Sequence, residues 1–173
     1  MWQRFVRLMK HRWQSDDAAS QWLPPAAQAR LTEAVAQSET QHSGEIRIHI
    51  ESALPNSYLW QDIPVAEMVH QRALSLFGKL KVWDTEHNNG VLIYLLLVER
   101  RLEIVADRGL NRQVPPNTWV NLSARMSAAF KSSTPEAGLH MALQEVNRLL
   151  ATYFPITSQQ DNPDELPNEP ILN

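Results

Sequence analysis

Glu51, Asp62 and Glu99 are the residues of this chain whose type and placement best suit a hard cation. Glu51 closes the alternating segment Glu45-Ile46-Arg47-Ile48-His49-Ile50-Glu51, Asp62 lies in the loop that follows, and Glu99 comes just after an apolar run over residues 90–98. If both segments are parallel strands, their carboxyl ends share one end of a sheet, where α/β folds collect ligands. Ca2+ takes roughly six to eight oxygen donors, several of them carboxylates, and Mg2+ also prefers oxygen. The same acids also read as a solvated surface, with Glu99 paired to Arg100 or Arg101. Asp84, Glu86 and His87 form a second candidate group before the apolar run, at the opposite end of the sheet and near Asp107. Asp84, next to Trp83, also reads as a turn cap. His49 is either a metal ligand or a solvated residue on the polar face of its strand.

Phosphoryl chemistry needs a nucleophile or metal-activated water together with positive charge. Arg100, Arg101 and Arg108 offer the charge, but the chain has no P-loop, no Asp-x-Asp pair and no Gly-x-Ser-x-Gly elbow. With no cysteine, it has no thiolate nucleophile, no disulfide and no Cys-based zinc site. No Asp-x-Asp-x-Asp calcium loop occurs either.

These residues must be positioned by ordinary globular structure. A chain of 173 residues, 43% apolar and 20% charged, is sized for one domain with a proper core. The net charge of −3 argues against nucleic acid as a partner. It is unevenly spread: residues 1–14 hold Arg4, Arg7, Lys10 and Arg12 with no acid, which leaves 12 bases against 19 acids in the rest. Neither a secretory signal nor a membrane-spanning run is evident, so the expected location is cytoplasmic or peripheral to the inner membrane.

Gly90-Val91-Leu92-Ile93-Tyr94-Leu95-Leu96-Leu97-Val98 reads as a strand buried on both faces. Leu102-Glu103-Ile104-Val105-Ala106-Asp107 reads as its antiparallel return arm. The segment from Glu45 to Glu51 should be a half-exposed, edge-like strand, its isoleucines inward and its polar residues outward. A helix from Val65 to about Lys79 joins it to the central strand, so the two strands should be parallel with a right-handed crossover. Further helices are expected after Pro24-Pro25, after Pro115-Pro116 and after Ser132-Ser133-Thr134-Pro135. Apolar residues at 2, 5, 6, 9 and 13 mark one face of an N-terminal basic amphipathic helix. That face is expected to dock onto the domain, onto a protein partner, or, through residues 1–14, onto an anionic membrane. Three segments follow: 1–22 helix and linker (Ser15-Asp16-Asp17-Ala18-Ala19-Ser20), 23–155 the domain, and 156–173 an acidic, Pro-rich tail that is extended or disordered.

Taken in order, Ser43-Gly44-Glu45-Ile46-Arg47-Ile48, Asn89-Gly90-Val91-Leu92-Ile93-Tyr94, Arg101-Leu102-Glu103-Ile104-Val105, Asp107-Arg108-Gly109, Ala137-Gly138-Leu139 and Asp161-Asn162-Pro163-Asp164-Glu165-Leu166-Pro167 resemble the TPM domain. The likeness is to its small bacterial branch without membrane anchors and covers roughly residues 25–168. It implies a single-domain α/β fold, a three-layer α/β/α sandwich with a small mixed sheet. Some members of that family are described as acid phosphatases, some as binding calcium or similar ions through acidic loops, and others as accessory factors in membrane maintenance. Where many relatives carry Asp-Arg after the core strand, this chain has Glu99-Arg100. The expectation is a non-enzymatic accessory module that binds Ca2+ or Mg2+ through Glu51, Asp62 and Glu99 and docks through its N-terminal helix. The alternative is a divalent-metal-dependent acid phosphatase using the same three residues.

Overall fold

The computed structural model describes residues 2–14, 18–115, 117–132, 134–156 and 162–173. Ser15-Asp16-Asp17 of the expected linker, Pro116 and Ser133 of two expected helix starts, and Asp161 of the tail lie outside the described residues. In chain order the elements are α1 (Trp2–Arg12), α2 (Ala18–Trp22), α3 (Pro25–Glu39), β1 (Ile46–Glu51), α4 (Asn56–Leu59), α5 (Val65–Lys79), β2 (Val91–Leu96), β3 (Arg101–Ala106), α6 (Arg108–Asn111), α7 (Thr118–Ser132), α8 (Pro135–Tyr153) and β4 (Ile171–Leu172).

Every residue of β2 is fully buried. Its pleat sends Val91, Ile93 and Leu95 to one face and Leu92, Tyr94 and Leu96 to the other. The first set joins Ile46, Ile48 and Ile50 of β1 and side chains of α3, α7 and α8 in one core. The second packs with Met68, Val69, Ala73 and Leu76 of α5 in another. Each such side chain contributes roughly 1.5–3 kcal/mol on burial, so the sheet is held from both sides. The expected α/β/α layering is what the chain adopts.

Sheet order is β3-β2-β1-β4. β1 runs parallel to β2, with Ile46 opposite Val91 and His49 opposite Tyr94, and β3 returns antiparallel. Gly90 lets the chain enter β2 closely, because a Cβ there would lie 1.9 Å from the Val82 carbonyl oxygen. α3 starts at Pro25, as the proline pair implies, and Thr134 caps α8 by accepting from the Ala137 amide.

Three expectations change. β1 is an interior strand: β4 pairs parallel to it through His49–Ile171 and Ile50–Leu172, and His49 is only 1% exposed. The tail over 162–173 is extended but bound, with Asn173 donating to Ile50 O (2.9 Å) and accepting from Ser52 N (2.6 Å). Two paired residues are too few to leave a strand signature in sequence, so β1 read as an edge. The third concerns α1, which docks onto the domain through its polar side. Arg7 donates to the carbonyls of Leu59, Gln61 and Ile63, while Lys10 and His11 hold Glu99. Its apolar stripe is turned outward, with Val6 and Trp13 exposed.

Candidate metal centre

Glu39, Glu45 and Asp164 converge where α3 ends and β1 begins. Their ligand oxygens all lie within 4.8 Å of one another, the only such group of three among the described residues. Glu39 is the last residue of α3, with no basic residue in that last turn. A carboxylate there faces the negative end of the helix dipole, an unfavourable place for an anion. Gly44 brings the chain round so that Glu45 sits one residue before β1. The tail then delivers Asp164, anchored by Leu166 N–H donating to Glu45 Oε2 at 3.1 Å and by Arg47, which donates to the Pro167 and Glu169 carbonyls.

Glu45 and Glu39 are 1% and 8% exposed, while Asp164 is exposed. Burial pushes the Glu39 carboxyl up to about 8, with the Glu45 and Asp164 charges adding and the Ile46 N–H (3.1 Å) and the Asn168 amide opposing. Burial likewise pushes Glu45 up to about 7, against the Glu165 and Leu166 amides and with Asp164 and Glu165 adding. A cleft of about 270 Å³ opens onto the three carboxylates, lined also by Thr40, Asn162 and Asn168. Asn162 donates to the Glu39 carbonyl at 3.3 Å, and the buried Asn168 Oδ1 has no hydrogen-bond partner. The described lining contains no lysine, arginine or histidine. It is an all-oxygen, anionic pocket that carries protons near neutral pH and suits a hard cation.

Glu51, Asp62 and Glu99 form no such group among the described residues. Glu51 is buried and takes a bidentate ion pair from Arg72 (2.9 and 2.5 Å) plus the Tyr94 hydroxyl at 2.7 Å, and Arg72 lies over the Tyr58 ring. Glu99 is held by Lys10 at 2.9 Å and His11 at 3.0 Å. Burial pushes its carboxyl up, but those two donors outweigh it and hold it below the usual range. Asp62 is exposed in the loop between α4 and α5. Parallel strands with acids at their carboxyl ends are present, but two of those acids are occupied by the chain's own cations. Glu86 contributes its backbone N–H to Glu165 (3.0 Å), so the Asp84–Glu86–His87 loop borders the tail. Asp107 caps α6 by accepting from Arg108 N. His49 is a buried core histidine, its ring 6.0 Å from Tyr94 and its pKa lowered by burial to about 4.

The convergent set was hard to find from sequence. Glu39 sits in an amphipathic helix, Glu45 on what read as a solvated strand face, and Asp164 in what read as a free tail. The one available signal was the Asp161-Asn162-Pro163-Asp164-Glu165 run, whose acids and amides are oxygen donors.

Over residues 16–149 the chain matches the profile of the TPM domain. It is 30% identical to the BA42 protein of the psychrophilic bacterium Bizionia argentinensis, whose NMR structure superposes with a TM-score of 0.70 over 86% of this chain and 94% of that one. The N-terminal domain of a P. gingivalis protein, also solved by NMR, shares the fold at 20% identity and a TM-score of 0.58, over 76% and 78% of the two chains. No curated protein matches at a significant level. Asp164 lies beyond the matched residues 16–149, whereas Glu39 and Glu45 lie within them.

Proposed function

We propose that this chain, which belongs to the TPM domain family, is a non-enzymatic accessory module that binds one divalent cation between Glu39, Glu45 and Asp164. The observation that carries the reading is the approach of three carboxylates to within 4.8 Å, two of them buried and pushed up to about 8 and 7. Protons can occupy such a site, and a divalent cation competes for the same oxygens with twice the charge. Donors drawn from a helix end, a strand start and a tail suit the irregular, high-coordination shell of Ca2+ better than the octahedron of Mg2+.

Turnover finds no support in the same cleft. A phosphoryl group brings several negative charges, and beside a bound cation the described lining offers no lysine, arginine or histidine to share them. On this reading the domain works by holding the cation and the tail that supplies one of its ligands. Calorimetric titration of EDTA-stripped protein tests this. One calcium equivalent should bind, and Glu45→Gln or Asp164→Asn should weaken it at least about tenfold, since each removes a charged ligand. Calcium binding unchanged in both variants, but lost in Glu99→Gln, would move the site to Glu51, Asp62 and Glu99. Hydrolysis of p-nitrophenyl phosphate that depends on Glu45 would restore the phosphatase.

A further inference from the structure

A soluble amphipathic helix normally buries its apolar stripe and shows water its charges. α1 turns most of that stripe outward and holds the domain through Arg7, Lys10 and His11, with Leu8 packed against the core beside them. Arg7 donates to Leu59 O at 2.7 Å and Gln61 O at 2.9 Å, His11 accepts from Leu54 N–H at 3.1 Å, and His11 and Lys10 both reach Glu99. With Nδ1 accepting from Leu54, the His11 proton sits on Nε2 and points at the Glu99 carboxylate. These contacts fix the helix in rotation as well as position. The stripe of residues 2, 5, 6, 9 and 13 is thereby turned outward where its side chains are described, with Phe5 56%, Val6 47% and Trp13 81% exposed and Met9 part-buried. Trp60 lies between the two residues whose carbonyls Arg7 holds, and it is 70% exposed.

We infer that this outward face of α1, together with Trp60, is a docking surface for an anionic phospholipid bilayer. Charge identifies the occupant. Residues 1–14 carry four bases and no acid, while the remaining residues carry 12 bases against 19 acids. An anionic surface therefore attracts this end of the molecule and repels the rest, which orients α1 toward the membrane. On the 3.6-residue wheel Arg12, which is exposed, borders the apolar stripe on the Phe5 side, where its long stem can reach headgroup phosphates. The two most exposed aromatics, Trp13 and Trp60, are tryptophans, whose amphipathic rings favour the headgroup boundary, and Phe5 of α1 is exposed as well. A helix already folded and clamped onto a domain binds without the ordering cost that makes short free helices weak on lipid. Contact is peripheral, since no described helix is long and apolar enough to cross a membrane.

Co-sedimentation of the full chain, in EDTA so that calcium cannot bridge lipid headgroups, tests the proposal. The chain should pellet with vesicles of equal parts phosphatidylcholine and phosphatidylglycerol, pellet less as salt rises, and stay in solution with phosphatidylcholine alone. The double variant Val6→Ala/Trp13→Ala should lower partitioning about tenfold or more. Arg12→Glu and Trp60→Ala should each lower it less, and Trp83→Ala, an exposed tryptophan after α5, should leave it unchanged. All these sites are on the surface, so unchanged circular dichroism is expected. Absence of binding to the anionic vesicles, or equal binding by the double variant, would overturn the proposal. So would a concentration-dependent dimer, lost in Val6→Ala/Trp13→Ala, in place of lipid binding. Because EDTA empties any cation site, neither failure bears on Glu39, Glu45 and Asp164.

Discussion

Glu39 and Glu45 hold their protons to higher pH in the folded chain because burial penalises their charged forms, whereas unfolding returns both to about 4.5. Their folded values are raised, so the native state holds protons that the unfolded state has lost. Their contribution to stability is complete below about 4.5 and falls away as pH rises through about 7 and 8. Thermal unfolding in EDTA should therefore show stability decreasing across that window. Glu45→Gln should flatten the profile and raise stability on its alkaline side by on the order of 2 kcal/mol. His42 and His49 act in the opposite sense. Burial lowers both from 6.5 to about 4, so the stability they allow is present above 6.5 and lost as pH falls toward 4. Calcium distinguishes the two limbs, since it should lift the alkaline limb and leave the acidic one in place. At the other end of β1, Glu51→Gln leaves the part-buried Arg72 without its counter-charge. Urea unfolding should show a loss of about 3–5 kcal/mol, against about 1 kcal/mol for Tyr94→Phe, which removes one hydrogen bond.

Among the elements, β2 was legible because an unbroken run of branched side chains admits few other placements, and the β1–α5–β2 unit and the β2–β3 hairpin followed from it. Orientation and closure were not legible. Periodicity in α1 identifies a stripe but not what covers it, and here hydrogen bonds from Arg7, Lys10 and His11 decide which side meets the domain. β4 is two residues long, so Pro170-Ile171-Leu172 looked like the end of a tail, and β1 consequently looked like an edge. The site was lost with them, because the tail must be in place before Asp164 meets Glu39 and Glu45. Deleting residues 162–173 should therefore remove two things at once, the partner of the β1 edge and a metal ligand. At calcium a hundredfold above its dissociation constant, the full chain should gain about 2.7 kcal/mol of stability and the shortened chain none. Gly90→Ala tests the entry to β2. A Cβ placed 1.9 Å from a backbone oxygen forces the 82–90 loop apart, and the expected cost is at least about 2 kcal/mol by chemical denaturation.

On the scale of the whole molecule, the two ends of the sheet do different work. The end bearing the carboxyl termini of β1 and β2 is closed by internal ion pairs, Glu51 with Arg72 and Glu99 with Lys10 and His11, and it carries α1. The opposite end gathers three carboxylates in a cleft whose described lining holds no lysine, arginine or histidine, and it draws the tail across them. The two ends thus differ in character, with three carboxylates converging at one and the basic helix α1, with Trp13 exposed, at the other. The most direct measurement is a calcium titration of the 15N-labelled chain followed by amide shifts. The amides of Ile46 and Leu166, which donate to Glu39 and Glu45, should move saturably and first, with the Arg72 side chain unmoved. Saturable shifts confined to Arg72, Lys10 and their neighbours, or no saturable shift at all, would contradict the assignment of the cation to Glu39, Glu45 and Asp164.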